Sequence, residues 1–253
     1  MNSNTQVISF TGEFAAFLSY ATNMTPNEVV TPGWFWRDTC TGGAVGCVPS
    51  TIRVDVTSSG AQPNNAAFSG VSPAITGDGR LVAFGSTASN LVSTTVLGGV
   101  FVRDTCTGAP AGCTRTTTLA SLTNTGVPEN NGGGGSPGNQ TNVAISADGR
   151  FVSFGSIATN LTPDDTYAEG TWEDIFVRDT CFGVASGCTP SMVRVSVPTL
   201  ANFANLGAAN SPSALNAASS DGHYVVFVSS ATNFLPGVNP NGHAMVYLAQ
   251  TGF

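Results

Sequence analysis

Residues 100–106 read Val-Phe-Val-Arg-Asp-Thr-Cys, and a second cysteine, Cys113, follows after six further residues. The same phrase returns twice with its closing cysteine at the same spacing: 34–40 with Cys47, and 175–181 with Cys188. A fourth copy at 244–251 keeps the apolar alternation but has neither the charges nor the cysteines. A phrase that returns in this way is typical of a repeat protein built from similar structural units.

A second phrase precedes each copy of the first and defines the length of one unit. It occurs at 75–86, 145–156 and 218–229, and a worn copy occurs at 10–19. Together the two phrases divide the chain into four units, at about 6–56, 66–119, 141–197 and 211–253. We predict that these units form one domain over residues 1–253, because they leave no room for another.

Each unit has the pattern of four short antiparallel strands. In the second unit the predicted strands are 71–75, 81–86, 99–104 and 114–119, and an Asp-Gly turn joins the first two. Repeated four-stranded sheets cover their faces and protect their edges by packing radially as propeller blades. The predicted fold class is therefore an all-β propeller of four repeat units. The fourth unit stops after its third strand, so we expect the last blade to lack its outermost strand.

The composition argues against two classes of partner. Charged residues make up only 9% of the chain, there is no lysine, and the net charge is −7. A nucleic-acid partner is not expected, because binding to phosphates needs a cluster of basic residues on one face. No apolar run reaches the ~18 residues of a membrane span.

The eight arginines recur at fixed places in the repeat, and we expect each to pair with a repeat aspartate within the scaffold.

The six cysteines form three equal pairs: Cys40 with Cys47, Cys106 with Cys113, and Cys181 with Cys188. A zinc site usually combines two such pairs with histidine, and His223 and His243 lie far from all three. We therefore predict three local disulfides rather than metal sites. Disulfides persist in oxidising compartments, so an extracellular or cell-surface location is expected, with the periplasm as the alternative.

One stretch has the composition of a cation site. Residues 163–174 hold five of the fifteen acidic residues, and we take Asp164, Asp165, Glu169 and Asp174 as candidate calcium ligands. Calcium prefers several carboxylate and carbonyl oxygens from one loop, although this spacing matches no EF-hand. A solvated acidic loop is the alternative. We predict no cofactor other than this calcium. We also predict no catalytic residue, because no nucleophile, zincin or phosphate-loop motif occurs.

The repeat resembles a known family. Residues 146–154 read Ser-Ala-Asp-Gly-Arg-Phe-Val-Ser-Phe, Ala-Thr-Asn-Leu follows at 158–161, and the charged strand follows at 174–179. These motifs resemble the TolB-type (WD40-like) β-propeller repeat of exported bacterial proteins, and the resemblance covers all four units. It implies blades in which the three strands named first lie inside and the fourth lies outermost. The disulfide between third and fourth strands departs from the commoner form of this repeat.

From these features we expect a non-enzymatic, exported module with a structural or protein-interaction role. Its open last blade predicts self-association into a surface fibre, or binding of another protein at that edge. One alternative is a carbohydrate-binding protein or glycoside-active enzyme that uses Asp164, Asp165, Glu169 and Trp172 on the propeller face, with a glycan as partner. Another is that the chain is a fragment of a larger periplasmic adaptor.

Overall fold

Strands provide all the regular structure in the part of the chain that the structure describes. The computed structural model describes residues 5–26, 28–43, 45–67, 72–130, 143–163, 173–197, 216–232, 234 and 239–253. No helix in these ranges is long and apolar enough to cross a membrane. The chain separates into two compact units, Met1–Ala120 and Ser121–Phe253. Each unit contains two repeat units, and the single-domain organisation stays a prediction.

The first compact unit contains two complete four-stranded sheets. Their strands are β1 Gln6–Ile8, β2 Phe14–Ser19, β3 Gly33–Asp38, β4 Ser50–Arg53, β5 Ala74–Ile75, β6 Leu81–Ser86, β7 Gly99–Asp104 and β8 Thr116–Leu119. Neighbouring strands follow chain order and are all antiparallel. The first strand of the second blade begins at Ala74, and Pro73 directly before it has no N–H for a ladder bond.

The second compact unit contains one complete sheet and one sheet of three strands. Its strands are β9 Ala144–Ile145, β10 Phe151–Ser156, β11 Asp174–Asp179, β12 Ser191–Arg194, β13 Asn216–Ala218, β14 Tyr224–Ser229 and β15 Met245–Gln250. The sheet orders are β9-β10-β11-β12 and β13-β14-β15. The predicted fold class, an all-β propeller of four blades with an incomplete last blade, is thus confirmed over the described residues.

The Asp-Gly turn that joins the first two strands of a blade is fixed by its aspartate side chain. Asp78 Oδ1 accepts hydrogen bonds from the Arg80 N–H (3.0 Å) and from Thr76 Oγ1 (2.6 Å). Gly79 has φ +73°, and a Cβ there would lie 2.3 Å from the ring of Phe14 in the preceding sheet. The same carboxylate geometry recurs at Asp148 and Asp221. The predicted role of these aspartates in turn geometry is confirmed.

Within a compact unit, the third strand of the first sheet packs against the sheet that follows it. In the first unit the Trp34 Nε1–H donates to Gly85 O (3.0 Å) and the Trp36 Nε1–H donates to Gly79 O (2.9 Å). Both indoles are buried, so neither is available to stack on a sugar ring. In the second unit the matching residues of β11, Ile175 and Val177, pack in one cluster with Phe227 of the last sheet.

In the second and third blades, a pair of asparagines forms hydrogen bonds between the connection after the second strand and the segment that enters the blade. The Asn64 N–H donates to Asn90 Oδ1 (2.9 Å), and Asn90 Nδ2 donates back to Gln62 O (3.0 Å). In the third blade Asn130 and Asn160 repeat this arrangement at 3.0 and 2.9 Å, with Pro128 O as the final acceptor. Sequence analysis assigned no role to these asparagines, although each pair recurs at the same place in its unit.

All three predicted disulfides are present, with Cα atoms 5.7 to 5.8 Å apart. The aspartate before each pair fixes the start of the loop: Asp104 Oδ1 accepts the Cys106 N–H at 2.8 Å. Asp38 and Asp179 do the same for Cys40 and Cys181. The disulfide loop therefore starts from a defined position at the end of the third strand.

We expect the double change Cys106→Ser with Cys113→Ser to lower the free energy of unfolding by about 2.5 kcal/mol, since it releases an eight-residue loop in the unfolded chain. Denaturant titration monitored by tryptophan fluorescence measures this loss. Wild-type protein treated with a reducing agent provides the control. Equal stability of the variant and the oxidised wild type would contradict a stabilising role for this disulfide.

Candidate functional site

Among the residues that the structure describes, the outer side of the last blade is open. In the three complete blades the third strand pairs with a strand on each side; β11, for example, lies between β10 and β12. β15 pairs with β14, and no described strand pairs with its other edge. An unpaired edge presents a row of backbone N–H and C=O groups to which another strand can bond.

The backbone groups that face this open edge can be identified from the register. In β11, Ile175 O accepts from Val195 N (2.9 Å) on the side of the fourth strand. Val246 occupies the same register position in β15, opposite Val228 as Ile175 is opposite Gly155. The N–H and C=O groups of successive residues in a strand point to opposite edges. Val246, Leu248 and Gln250 therefore direct theirs outward, away from β14.

An apolar strip lies on the exposed face of the same strand. Val246 is 71% exposed and Leu248 is 68% exposed, whereas Ile175 and Val177 at the matching positions of β11 are fully buried. Tyr224 of β14 is also exposed beside this strip. A contiguous apolar patch beside an unpaired strand edge is typical of an interaction surface.

A groove lies on the other face of β15, within the second compact unit. Its volume is about 320 Å³. Its lining consists of Arg194 and Gln250 together with the apolar residues Val195, Val197, Phe227, Phe234, Tyr247, Leu248 and Ala249. The three aromatic rings contact one another, with Phe234 and Tyr247 centroids 4.9 Å apart in an edge-to-face arrangement. The Tyr247 hydroxyl donates to Ala231 O (3.4 Å), which orients the ring along the groove.

The groove exists partly because Ala249 stands where the other blades have arginine. Arg103 and Arg178 occupy that position, and both are buried. Their side chains extend to the chain segment that precedes their blade. Arg103 Nη1 donates to Thr57 O (2.9 Å), and Arg178 Nη1 donates to Leu122 O (3.2 Å). The methyl group of Ala249 cannot fill that space, so the last blade keeps a cavity there.

Only four of the eight arginines form the expected pairs with aspartate. Arg80 and Arg150 bind Asp104 and Asp179 at 2.9 and 2.6 Å. The other two pairs are Arg53 with Asp55 and Arg194 with Asp174. The prediction was wrong for Arg37, Arg103, Arg115 and Arg178, which donate to threonine hydroxyls or backbone carbonyls. The acceptors of Arg37 and Arg115 lie only 14 and 10 residues away. Arg103 and Arg178 also donate to backbone carbonyls 46 and 56 residues away, which the repeat pattern does not reveal.

Three of the four candidate calcium ligands, Asp164, Asp165 and Glu169, lie outside the described residues, as does Trp172. The fourth, Asp174, is buried and accepts from Arg194 Nη1 (3.1 Å) and Ser196 Oγ (2.5 Å). The calcium site therefore stays a prediction. Where Asp and Cys atoms cluster within 4.8 Å, as at Asp38, Cys40 and Cys47, the sulfurs are already joined in disulfides.

Two buried acids surround a single arginine in the first blade. Arg53 donates from Nε to Asp55 Oδ1 (2.8 Å) and from Nη1 to Glu28 Oε2 (2.5 Å). Asp55 is fully buried and also accepts from the Trp34 N–H (3.1 Å). Burial raises the pKa of Asp55 to about 6, against the opposing effect of its bonds to Arg53. The cost of removing the Asp55 carboxylate from water therefore outweighs its bonds to Arg53 and Trp34, which favours the protonated form of Asp55.

The raised pKa of Asp55 predicts a pH-dependent stability. The folded state holds the proton more tightly than the unfolded state, whose pKa is 3.8, so this contribution is complete below pH 3.8 and is lost as pH rises through about 6. We expect the loss to reach about 3 kcal/mol and to disappear in Asp55→Asn. Urea unfolding of both proteins at pH 4 and pH 7 measures it. An unchanged pH dependence in the variant would assign the effect elsewhere.

Comparison with known proteins gives matches among solved structures alone: no family model and no curated protein matches the chain. TolB from Acinetobacter baumannii is 13% identical with a TM-score of 0.47, over 99% of this chain and 41% of that one. A putative TolB from Agrobacterium tumefaciens is 15% identical with a TM-score of 0.45, over 98% and 58%. The β-propeller domain of the Trilobed protease from Pyrococcus furiosus is 10% identical with a TM-score of 0.36, over 100% and 71%.

The chain thus spans about half the length of the two TolB chains that it matches. At these identities the likeness concerns the fold alone. The chain is similar in fold to TolB-type β-propellers, the family that its repeat motifs resemble.

Proposed function

We propose that this protein is an exported, non-enzymatic β-propeller that serves as a structural or protein-interaction module and associates with itself through the open edge of its last blade. The observation that carries the proposal is the outer side of β15. Its outward N–H and C=O groups and the exposed side chains of Val246 and Leu248 lie on one strand. A strand from another molecule would form hydrogen bonds with the outward N–H and C=O groups and would help to cover the exposed side chains.

A second copy of the chain is the proposed partner. The edge of β15 would meet a different surface of the neighbouring molecule, and such a head-to-tail contact extends into a fibre unless its rotation closes a ring. Only 9% of the residues are charged, so few charged side chains would lose their hydration in the contact. Each contact would leave the next open edge available for a further molecule.

Export is supported by the three disulfides, which use all six cysteines of the chain. Bonds of this kind persist outside the cytoplasm, at the cell surface or in the periplasm. A non-catalytic role is supported by how the repeat uses its charged groups. Asp78 and Asp148 fix turns, and Asp104 and Asp179 pair with arginine.

Assembly at β15 is tested by Leu248→Pro. The Leu248 N–H points away from β14, so proline removes a donor from the open edge and leaves the ladder to β14 in place. We expect wild-type protein to form concentration-dependent oligomers or filaments in light scattering and electron microscopy, and the variant to remain monomeric with an unchanged circular dichroism spectrum.

Leu248→Thr is the matched control, because it keeps the N–H and removes apolar surface. It should weaken assembly by about tenfold or less, in line with the loss of one partly buried side chain. A wild-type protein that stays monomeric at high concentration would overturn the proposal, and so would a proline variant that assembles like wild type.

Calcium binding by the acidic stretch at 163–174 remains a separate proposal. Isothermal titration at pH 7 should show heat of calcium binding in the micromolar to millimolar range. The heat should disappear in Asp164→Asn with Asp165→Asn and persist in Asp221→Asn, whose carboxylate lies in a turn. A titration without heat up to millimolar calcium would remove calcium from the account.

A further inference from the structure

Successive sheets of one compact unit meet in a junction that the second unit shows in full. Phe151 of β10 lies against Gly222, in the turn between β13 and β14, where a Cβ would overlap the aromatic ring. Ile175 and Val177 of β11 pack in one cluster with three apolar residues of the last sheet: Ala218, Val225 and Phe227. One sheet therefore contributes three apolar side chains to the junction, and the next sheet contributes a glycine and an apolar surface.

The junction in the first compact unit has the same layout. Phe14 of β2 lies against Gly79, and the Trp36 indole stacks on Phe14 with ring centroids 5.4 Å apart. Phe14 and Phe151 occupy the same register position, because each begins the second strand of its sheet opposite the aspartate that ends the third. The junction is therefore a property of the repeat and recurs wherever one sheet covers the next.

The last blade presents the first half of this junction with its side chains exposed. Tyr224 begins β14 as Phe151 begins β10, and it is exposed. Val246 and Leu248 are the counterparts in β15 of the two buried β11 side chains. The two pairs contain the same number of side-chain carbon atoms. The face formed by Tyr224, Val246 and Leu248 therefore offers as much aliphatic side chain as the buried junction does.

The turn of the first sheet has the shape that receives such a ring. Gly12 has φ +76°, close to the +73° of Gly79 and the +72° of Gly222. Its N–H donates to Ser9 O (2.9 Å), the turn bond that the other two glycines also make. Among the described residues, only Ile8 comes within 4 Å of the place where a Cβ on Gly12 would lie, with its Cδ1 at 3.9 Å. The position that holds an aromatic ring in both junctions is therefore accessible at Gly12.

Apolar side chains beside that turn complete the receiving surface. The register places Ile8, Ala15 and Phe17 where the last sheet has the three apolar residues of its junction. Ile8 is 63% exposed, Ala15 and Phe17 are partly exposed, and Phe10 in the same turn is fully exposed. The first blade therefore carries, accessible to another molecule, the counterpart of the surface that covers β11 inside the second compact unit.

We infer that the first blade of a second copy docks on the exposed face of the last blade, so that two copies form the same junction that each compact unit contains. Tyr224 of one copy lies against Gly12 of the next, and Val246 and Leu248 pack on the three apolar side chains of its receiving surface. None of these residues is charged, so their contact buries no ion. This inference rests on the proposed self-association and names the surface of the second copy that covers the last blade.

Ile8→Arg tests the receiving surface. The side chain is exposed in the single chain, so the change should leave the fold intact, whereas in the junction it would bury a charge without a partner. We expect assembly to weaken at least about tenfold in sedimentation velocity, with an unchanged circular dichroism spectrum. The matched control is Leu97→Arg, at a residue that is 66% exposed in the connection between β6 and β7, and it should assemble like wild type.

Val246→Arg blocks the other half of the junction and keeps the N–H and C=O groups of the open edge. Alone, each of the two blocked variants should remain monomeric. Equal amounts of Ile8→Arg and Val246→Arg should form a dimer that grows no further, because the intact last blade of one binds the intact first blade of the other. Dimer formation would also show that both variants are folded.

The outcomes separate this inference from the proposed function. A mixture that forms no dimer, or Ile8→Arg that assembles like wild type, overturns the inference. If Leu248→Pro abolishes assembly while Ile8→Arg does not, the copies associate through the edge of β15 alone and the proposed function stands. A wild-type chain that stays monomeric contradicts self-association itself, and it leaves the exposed face of the last blade to a partner of another kind.

Discussion

The constraint on which this structure depends is that the third strand of each blade needs a partner on both edges and cover on the face toward the next sheet. In β3 the second need is met by Trp34 and Trp36, whose indoles donate to carbonyls of the following sheet. In β11 it is met by Ile175 and Val177 against the last sheet. β15 is the third strand of the last blade. Among the described residues it has neither a strand on its outer edge nor cover over Val246 and Leu248, and the proposed self-association follows from that difference.

The arginine of the repeat shows how one sequence position serves two purposes. Where it is present, its long side chain fills the space between its own blade and the chain that enters it, as Arg178 does beside Leu122 and Thr123. Where it is replaced by Ala249, the same space becomes a groove. The exchange of one side chain therefore leaves a groove where the other blades have an internal contact.

Most of the fold follows from the sequence because its determinants are local. The Asp-Gly turns depend on residues two apart, such as Asp78 and Arg80, and each disulfide joins cysteines seven apart. The groove beside β15 depends on residues that are distant in sequence. Val195 and Ala249 line one groove, and no periodicity brings them together. The predicted pairing failed for Arg103 and Arg178 for the same reason, since the Thr57 and Leu122 carbonyls that they contact lie 46 and 56 residues away.

The paired asparagines have a consequence for sugar attachment. Asn160, Leu161 and Thr162 form an acceptor sequence for N-linked glycans, and the side-chain nitrogen that would carry the sugar is the one that donates to Pro128 O. In the folded chain that nitrogen already donates a hydrogen bond within the blade. A glycan would replace one of the two hydrogens of that nitrogen, so a modified Asn160 would keep its bond to Pro128 only through the remaining N–H, with the sugar directed away from the blade.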